Sequence, residues 1–107
     1  MAVKTKSSEK GNELVISIDG RFDFGLQKDF RKSYEATKAS AYIIDMRATE
    51  YMDSSALGML LMMREYTRGS KAQITLKNCS QDIKTILSVA NFQNLFKIQF
   101  RSLIRSQ

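Results

Sequence analysis

Four short apolar runs, Leu14-Val15-Ile16-Ser17-Ile18, Ala41 to Met46, Ala72 to Leu76 and Leu95 to Phe100, alternate along the chain with three longer stretches of different periodicity. The runs are the length of strands and carry branched or aromatic residues suited to a pleated surface. In the stretches between them, apolar residues recur every three or four positions, as on one face of a helix. Leu26, Phe30, Tyr34 and Thr37 define the first helix, and Ile83, Ile86, Leu87 and Ala90 the third. Strands that alternate with helices build a largely parallel sheet through right-handed crossovers, so the expected class is α/β with Ala41 to Met46 as a central strand.

A chain of 107 residues has room for one such domain. We place it at residues 12–100, after a polar, flexible segment at 1–11 and before a short basic tail at 101–107. With 43% hydrophobic and 26% charged residues, the composition is that of an ordinary globular protein rather than a disordered one. The longest apolar run, Ala56 to Met63, falls far short of the roughly 20 residues that cross a bilayer, so no membrane insertion is expected. The opening MAVKTKSSEK has no apolar secretory segment or cleavage site, which points to a cytoplasmic location.

Histidine is absent and Cys79 is the sole cysteine. The chain therefore lacks the usual imidazole base, the commonest transition-metal ligand and any internal disulfide, which weakens most hydrolase and metalloenzyme readings, and no metal or cofactor is expected. Cys79 is expected to pack as a small apolar group. Tyr42, Phe92 and Phe96 are further core candidates. The formal charge of +6 arises from 17 basic and 11 acidic residues. These cations are scattered, as Lys4, Lys6, Lys10, Arg31, Lys32, Arg101 and Arg105 illustrate, and fit a solvated surface or the steering of an acidic partner. Direct nucleic-acid binding is the alternative, but neither an aromatic RNA-binding motif nor a recognition helix is visible, so no nucleic-acid partner is expected.

The most informative segment runs from Tyr51 to Tyr66, where Asp53, Ser54 and Ser55 precede a long apolar stretch. All three are helix-capping types. A hydroxyl there lies beside free backbone N–H groups and the positive end of a helix dipole, a place that tolerates an added phosphate. Simple capping explains the same residues without any modification. At 100° per residue, Ala56, Leu57, Leu60, Met63 and Thr67 share one face, whereas Met59 and Met62 point elsewhere. Flexible methionines suit an adaptable binding surface, so Ser54, Met59 and Met62 are expected to face a partner, unless another part of the domain covers the methionines.

The sequence Tyr51-Met52-Asp53-Ser54-Ser55-Ala56-Leu57-Gly58 resembles the phosphorylation motif of STAS-domain anti-sigma factor antagonists, also called anti-anti-sigma factors. Gly20-Arg21-Phe22-Asp23 is similar to an earlier segment of that family, and Ser80 to Ile98 to its last helix-and-strand unit. The resemblance implies a STAS fold of about four to five strands and three to four helices. It also implies that Ser54 is the phosphorylated residue, with Ser55 its neighbour and Asp23 and Asp53 flanking it as aids to kinase or phosphatase recognition. In such a system the unmodified protein binds an anti-sigma factor or serine kinase and so frees a sigma factor for transcription. Phosphorylation reverses the binding and a serine phosphatase restores it, so the resemblance implies a substrate of enzymes that is not itself an enzyme. Two departures stand out: Ala56 replaces the commoner glycine, and the region after the last strand is short. A constitutive STAS subunit of a transporter or sensory complex is the alternative within the fold. A hydrolase using Ser54 as nucleophile would need a base other than histidine.

Overall fold

A computed structural model describes residues 2–8 and 12–100. Five strands form the main sheet in the order β1 (Val3–Ser7), β2 (Glu13–Ile18), β4 (Ala41–Asp45), β6 (Gln73–Cys79), β7 (Lys97–Phe100). β1 runs antiparallel to β2, and every other pair is parallel. Two further strands, β3 (Gly20–Phe22) and β5 (Thr49–Met52), make a separate parallel pair. Three helices, α1 (Gln27–Glu35), α2 (Ser54–Thr67) and α3 (Gln81–Val89), complete the α/β fold, with single 3-10 turns at Phe24–Leu26, Arg68–Ser70 and Phe92–Asn94.

Residue alternation decides where the core sits. Leu14, Ile16 and Ile18 of β2, Tyr42 and Ile44 of β4, and Ile74 and Leu76 of β6 are buried on one face. They join Phe30 and Tyr34 of α1, Leu60 and Met63 of α2 and Ile83 and Leu87 of α3 in one continuous cluster. The opposite face carries Val15, Ile43 and Thr75, only half-buried, so the helices form a single layer and that face stays open. A row of aromatic rings, Phe22, Phe30, Tyr34 and Tyr66, with successive centroids 5.2 to 5.4 Å apart, ties α1 to α2. Offset and edge-on contacts of this kind contribute beyond the area they bury.

Several expectations change. Val3–Ser7, placed by its polarity in a flexible segment, is a strand whose backbone pairs with β2 from Val3 opposite Ile18 to Ser7 opposite Leu14. The small β3–β5 sheet had no counterpart in the sequence reading. α1 ends at Glu35, so Thr37 lies beyond it. β7 starts at Lys97, and Phe96, expected within that strand, is instead a buried ring stacked on Phe92 at 5.3 Å. β6 runs three residues past Leu76, passing Asn78 at φ 60°. Residues 9–11 and the tail at 101–107 lie outside the described residues.

Candidate functional site

The short β3–β5 pair assembles the site. Its register sets Arg21 opposite Tyr51 and Phe22 opposite Met52, so Asp23 and Asp53 each follow directly on a paired residue. Gly20 enters this pair at φ 84°, a left-handed conformation that only glycine adopts without strain, and so lets the chain leave β2 for the smaller sheet. Each aspartate then caps the turn that follows it. Asp23 Oδ1 accepts from the Gly25 N–H at 3.0 Å, and its other oxygen accepts from Arg21 Nε at 3.2 Å. The Arg21 guanidinium also lies 4.2 Å from the centre of the Tyr51 ring, a cation–π contact across the two strands.

Asp53 is the N-cap of α2. Its Oδ1 accepts from the Ser55 N–H at 3.0 Å, the Ala56 N–H at 3.3 Å and the Ser55 hydroxyl at 2.5 Å. The Ser55 hydroxyl bond, then the two amides and the nearby Arg21 charge, hold the Asp53 carboxyl below its usual value. The two serines therefore differ. Ser55 spends its hydroxyl on the cap, whereas Ser54, at the first helical position, is exposed and its hydroxyl makes no hydrogen bond among the described residues.

From Ser54, a stripe of surface descends α2 through Leu57, Gly58, Leu61 and Met62 at helical spacing. Leu61 and Met62 are 41% and 48% exposed, and Phe24 and Tyr51 add two more exposed apolar side chains on the segments that lead into the site. Met59, expected on this surface with Met62, is buried instead. It packs on α1, where Phe30 and Tyr34 line the same small space, so intramolecular coverage accounts for it. Leu61, and Gly58 as more than a motif residue, join the candidate surface only in the structure. Counting helical positions from Ser54 rather than from Leu57 brings both onto the serine's own face. Asp23, Asp53, Ser54, Ser55 and Met62 thus remain at or near the surface, while Met59 leaves the set.

This arrangement offers an accessible nucleophilic oxygen within an apolar, adaptable surface, with two carboxylates alongside it. Among the described residues no cluster of His, Cys, Asp and Glu could hold a metal ion, and no helix is long and apolar enough to cross a membrane. Cys79 is fully buried, and burial pushes its thiol up to about 11.

The family described as Mlab, STAS domain matches residues 5–100. A STAS-domain containing protein of Pseudomonas aeruginosa (strain UCBPP-PA14) is 50% identical over 100 residues, which span 92% of this chain and 99% of that protein. Among solved structures, the anti-sigma factor antagonist SpoIIAA in its unphosphorylated form matches with a TM-score of 0.76 at 16% identity, covering 91% of this chain and 87% of its own. A sulfate transporter family protein from Wolinella succinogenes matches with a TM-score of 0.75 at 18% identity, covering 88% and 80%. Identities this low establish a common fold and leave the roles of those two proteins their own. With nearly the whole chain inside the family match, and half of its residues shared with a STAS-domain relative of almost equal length, this protein belongs to the STAS-domain family.

Proposed function

We propose that this protein is an anti-sigma factor antagonist whose binding is switched by phosphorylation of Ser54. The observation that carries this reading is the unpartnered, exposed Ser54 hydroxyl at the head of the Leu57, Gly58, Leu61 and Met62 stripe. In the unmodified state, an anti-sigma factor or serine kinase docks on that stripe and buries its apolar side chains, which releases a sigma factor. Burial of this kind is the main favourable term in association.

A kinase transfers the terminal phosphoryl group of a nucleoside triphosphate to Ser54 Oγ, and the serine proton passes to a base of the kinase. The new ester carries about −1.5 to −2 charges at neutral pH. Asp53 already accepts from the Ser55 and Ala56 amides, so the added charge arrives beside a carboxylate rather than in an empty amide pocket. Like-charge repulsion and the desolvation of a dianion then oppose docking. A serine phosphatase returns the hydroxyl by hydrolysis. The protein itself is a substrate and binding module in this scheme, working in the cytoplasm without metal or cofactor. Its lack of histidine supports that assignment, since Ser54 has no imidazole base to activate it.

The test combines phosphopeptide mass spectrometry of the protein from its own cells with pull-downs by wild type, Ser54→Ala and Ser54→Asp. We expect phosphate on Ser54 and a kinase-like or anti-sigma partner retained by the alanine variant and lost by the aspartate variant. An unmodified Ser54 with identical partners for all three proteins overturns the switch and favours a constitutive scaffold, a role compatible with the fold shared with the sulfate transporter family protein.

A further inference from the structure

At the end of α2 remote from Ser54, four cationic side chains converge on one cavity of about 310 Å³. Arg64 comes from the last turn of α2, Arg68 and Lys71 from the turn that follows, and Lys97 from the start of β7. Gln73 and Leu95 also line the space, and no lining residue is acidic. Arg64 Nε donates to the Leu95 carbonyl at 3.3 Å, which fixes one edge of the guanidinium against the far wall. Arg68 meets Glu65 only at 3.5 Å, and both side chains are mostly exposed, so that pair neutralises little. Lys71 and Lys97 have no ion pair among the described residues.

Cations near a helix C-terminus balance its partial negative charge, but that charge amounts to roughly half a unit. Four cations exceed it, and Lys97 belongs to a different element. Holding them together costs repulsion that a bound anion would relieve. We infer that this cavity is a binding site for a small phosphate-bearing polyanion, such as pyrophosphate or the phosphate end of a nucleotide. The volume lies at the small end of ligand sites, and the charges converge on one hollow instead of lining a track, which favours a compact ligand over a nucleic-acid strand. The paired donors of Arg64 and Arg68 suit phosphate oxygens, with Lys71 and Lys97 as point charges. Since α2 has 14 residues, the cavity and Ser54 lie about 20 Å apart, so the site is separate from the docking stripe.

The experiment is a titration of the ¹⁵N-labelled protein with inorganic pyrophosphate at 0.15 M salt, followed by amide chemical shifts. Saturable shifts confined to residues 64–74 and 95–97 are expected. The exposed double substitution Arg68→Gln, Lys97→Gln should keep a native spectrum and weaken binding by about tenfold or more, as loss of two charge-assisted contacts predicts. Lys4→Gln, Lys6→Gln, on the far edge strand, should leave binding within about twofold because those lysines lie outside the cavity. Linear, unsaturable shifts spread over all surface lysines overturn the site, as does equal weakening in both double variants. Displacement of pyrophosphate by an oligonucleotide whose shifts extend well beyond the cavity would assign the charge to nucleic acid instead.

Discussion

Three donors converge on one oxygen of Asp53, and the consequence is measurable. Its lowered carboxyl value means that the cap contributes stability above the usual carboxylate range and loses it as the pH falls through that lowered value. Asp53→Ala should therefore unfold at a lower urea midpoint than wild type at pH 7, with the difference shrinking progressively in acid. A difference that is the same at pH 7 and pH 3 contradicts the assignment. Cys79 has the opposite sign. Burial raises its thiol to about 11 from an ordinary 9.0, so the contribution is intact below pH 9 and is lost as the pH rises toward 11. A disulfide reagent at pH 8 should leave the native thiol essentially unreacted and modify it at once in urea; rapid labelling of the folded protein would show an open core. The capping by Asp53 and the burial of Cys79 were legible in the sequence, the first because capping depends on residue types within one turn and the second because a lone cysteine packs as a small apolar group. Met59 misled because its environment is set by α1, more than twenty positions earlier in the chain.

At the scale of the element, α2 carries a built-in contradiction. Gly58 stands in its second turn, and a Cβ there would meet nothing within 4 Å. Gly58→Ala should stabilise the fold by about 0.5–1 kcal/mol, read from urea unfolding, because alanine loses less backbone freedom in a helix. The same variant should capture the Ser54-dependent partner less well, since bare backbone between Leu57 and Leu61 allows close approach. Unchanged capture would remove Gly58 from the docking stripe. The elements themselves were unequally legible. α3 announced itself through Ser80, whose hydroxyl accepts from the Ile83 N–H at 3.2 Å, and through Asn91, which ends the helix at φ 60°. β2 and β4 did so through continuous branched runs. β3 and β5 had no such signal: three and four residues long, they exist as strands only because each finds the other across nearly thirty positions. β1 was hidden by its composition, since VKTKS alternates without an apolar face and reads as a polar lead.

Across the whole molecule, the layered α/β architecture was readable from the order of patterns alone, whereas strand order and the open face required the chain to be seen closed on itself. Of the main sheet's four pairings, β1 with β2 and β6 with β7 join strands consecutive in the chain, whereas β2 with β4 and β4 with β6 each skip a strand that belongs to the smaller sheet. β1 also has a role its composition conceals. It occupies the outer side of β2, the strand whose Leu14, Ile16 and Ile18 are buried in the core. Deletion of residues 2–8 would leave that regular, apolar-rich strand as a bare edge, and such edges recruit copies of themselves. The shortened protein should sediment as a monomer when dilute and scatter light increasingly with concentration, while the full chain stays clear. A fully soluble truncation would show that β2 tolerates exposure. If the truncation behaves so, the lysine-bearing opening stretch acts as a solubility device, and any N-terminal trimming or fusion intended to improve the protein's behaviour would have to leave it in place.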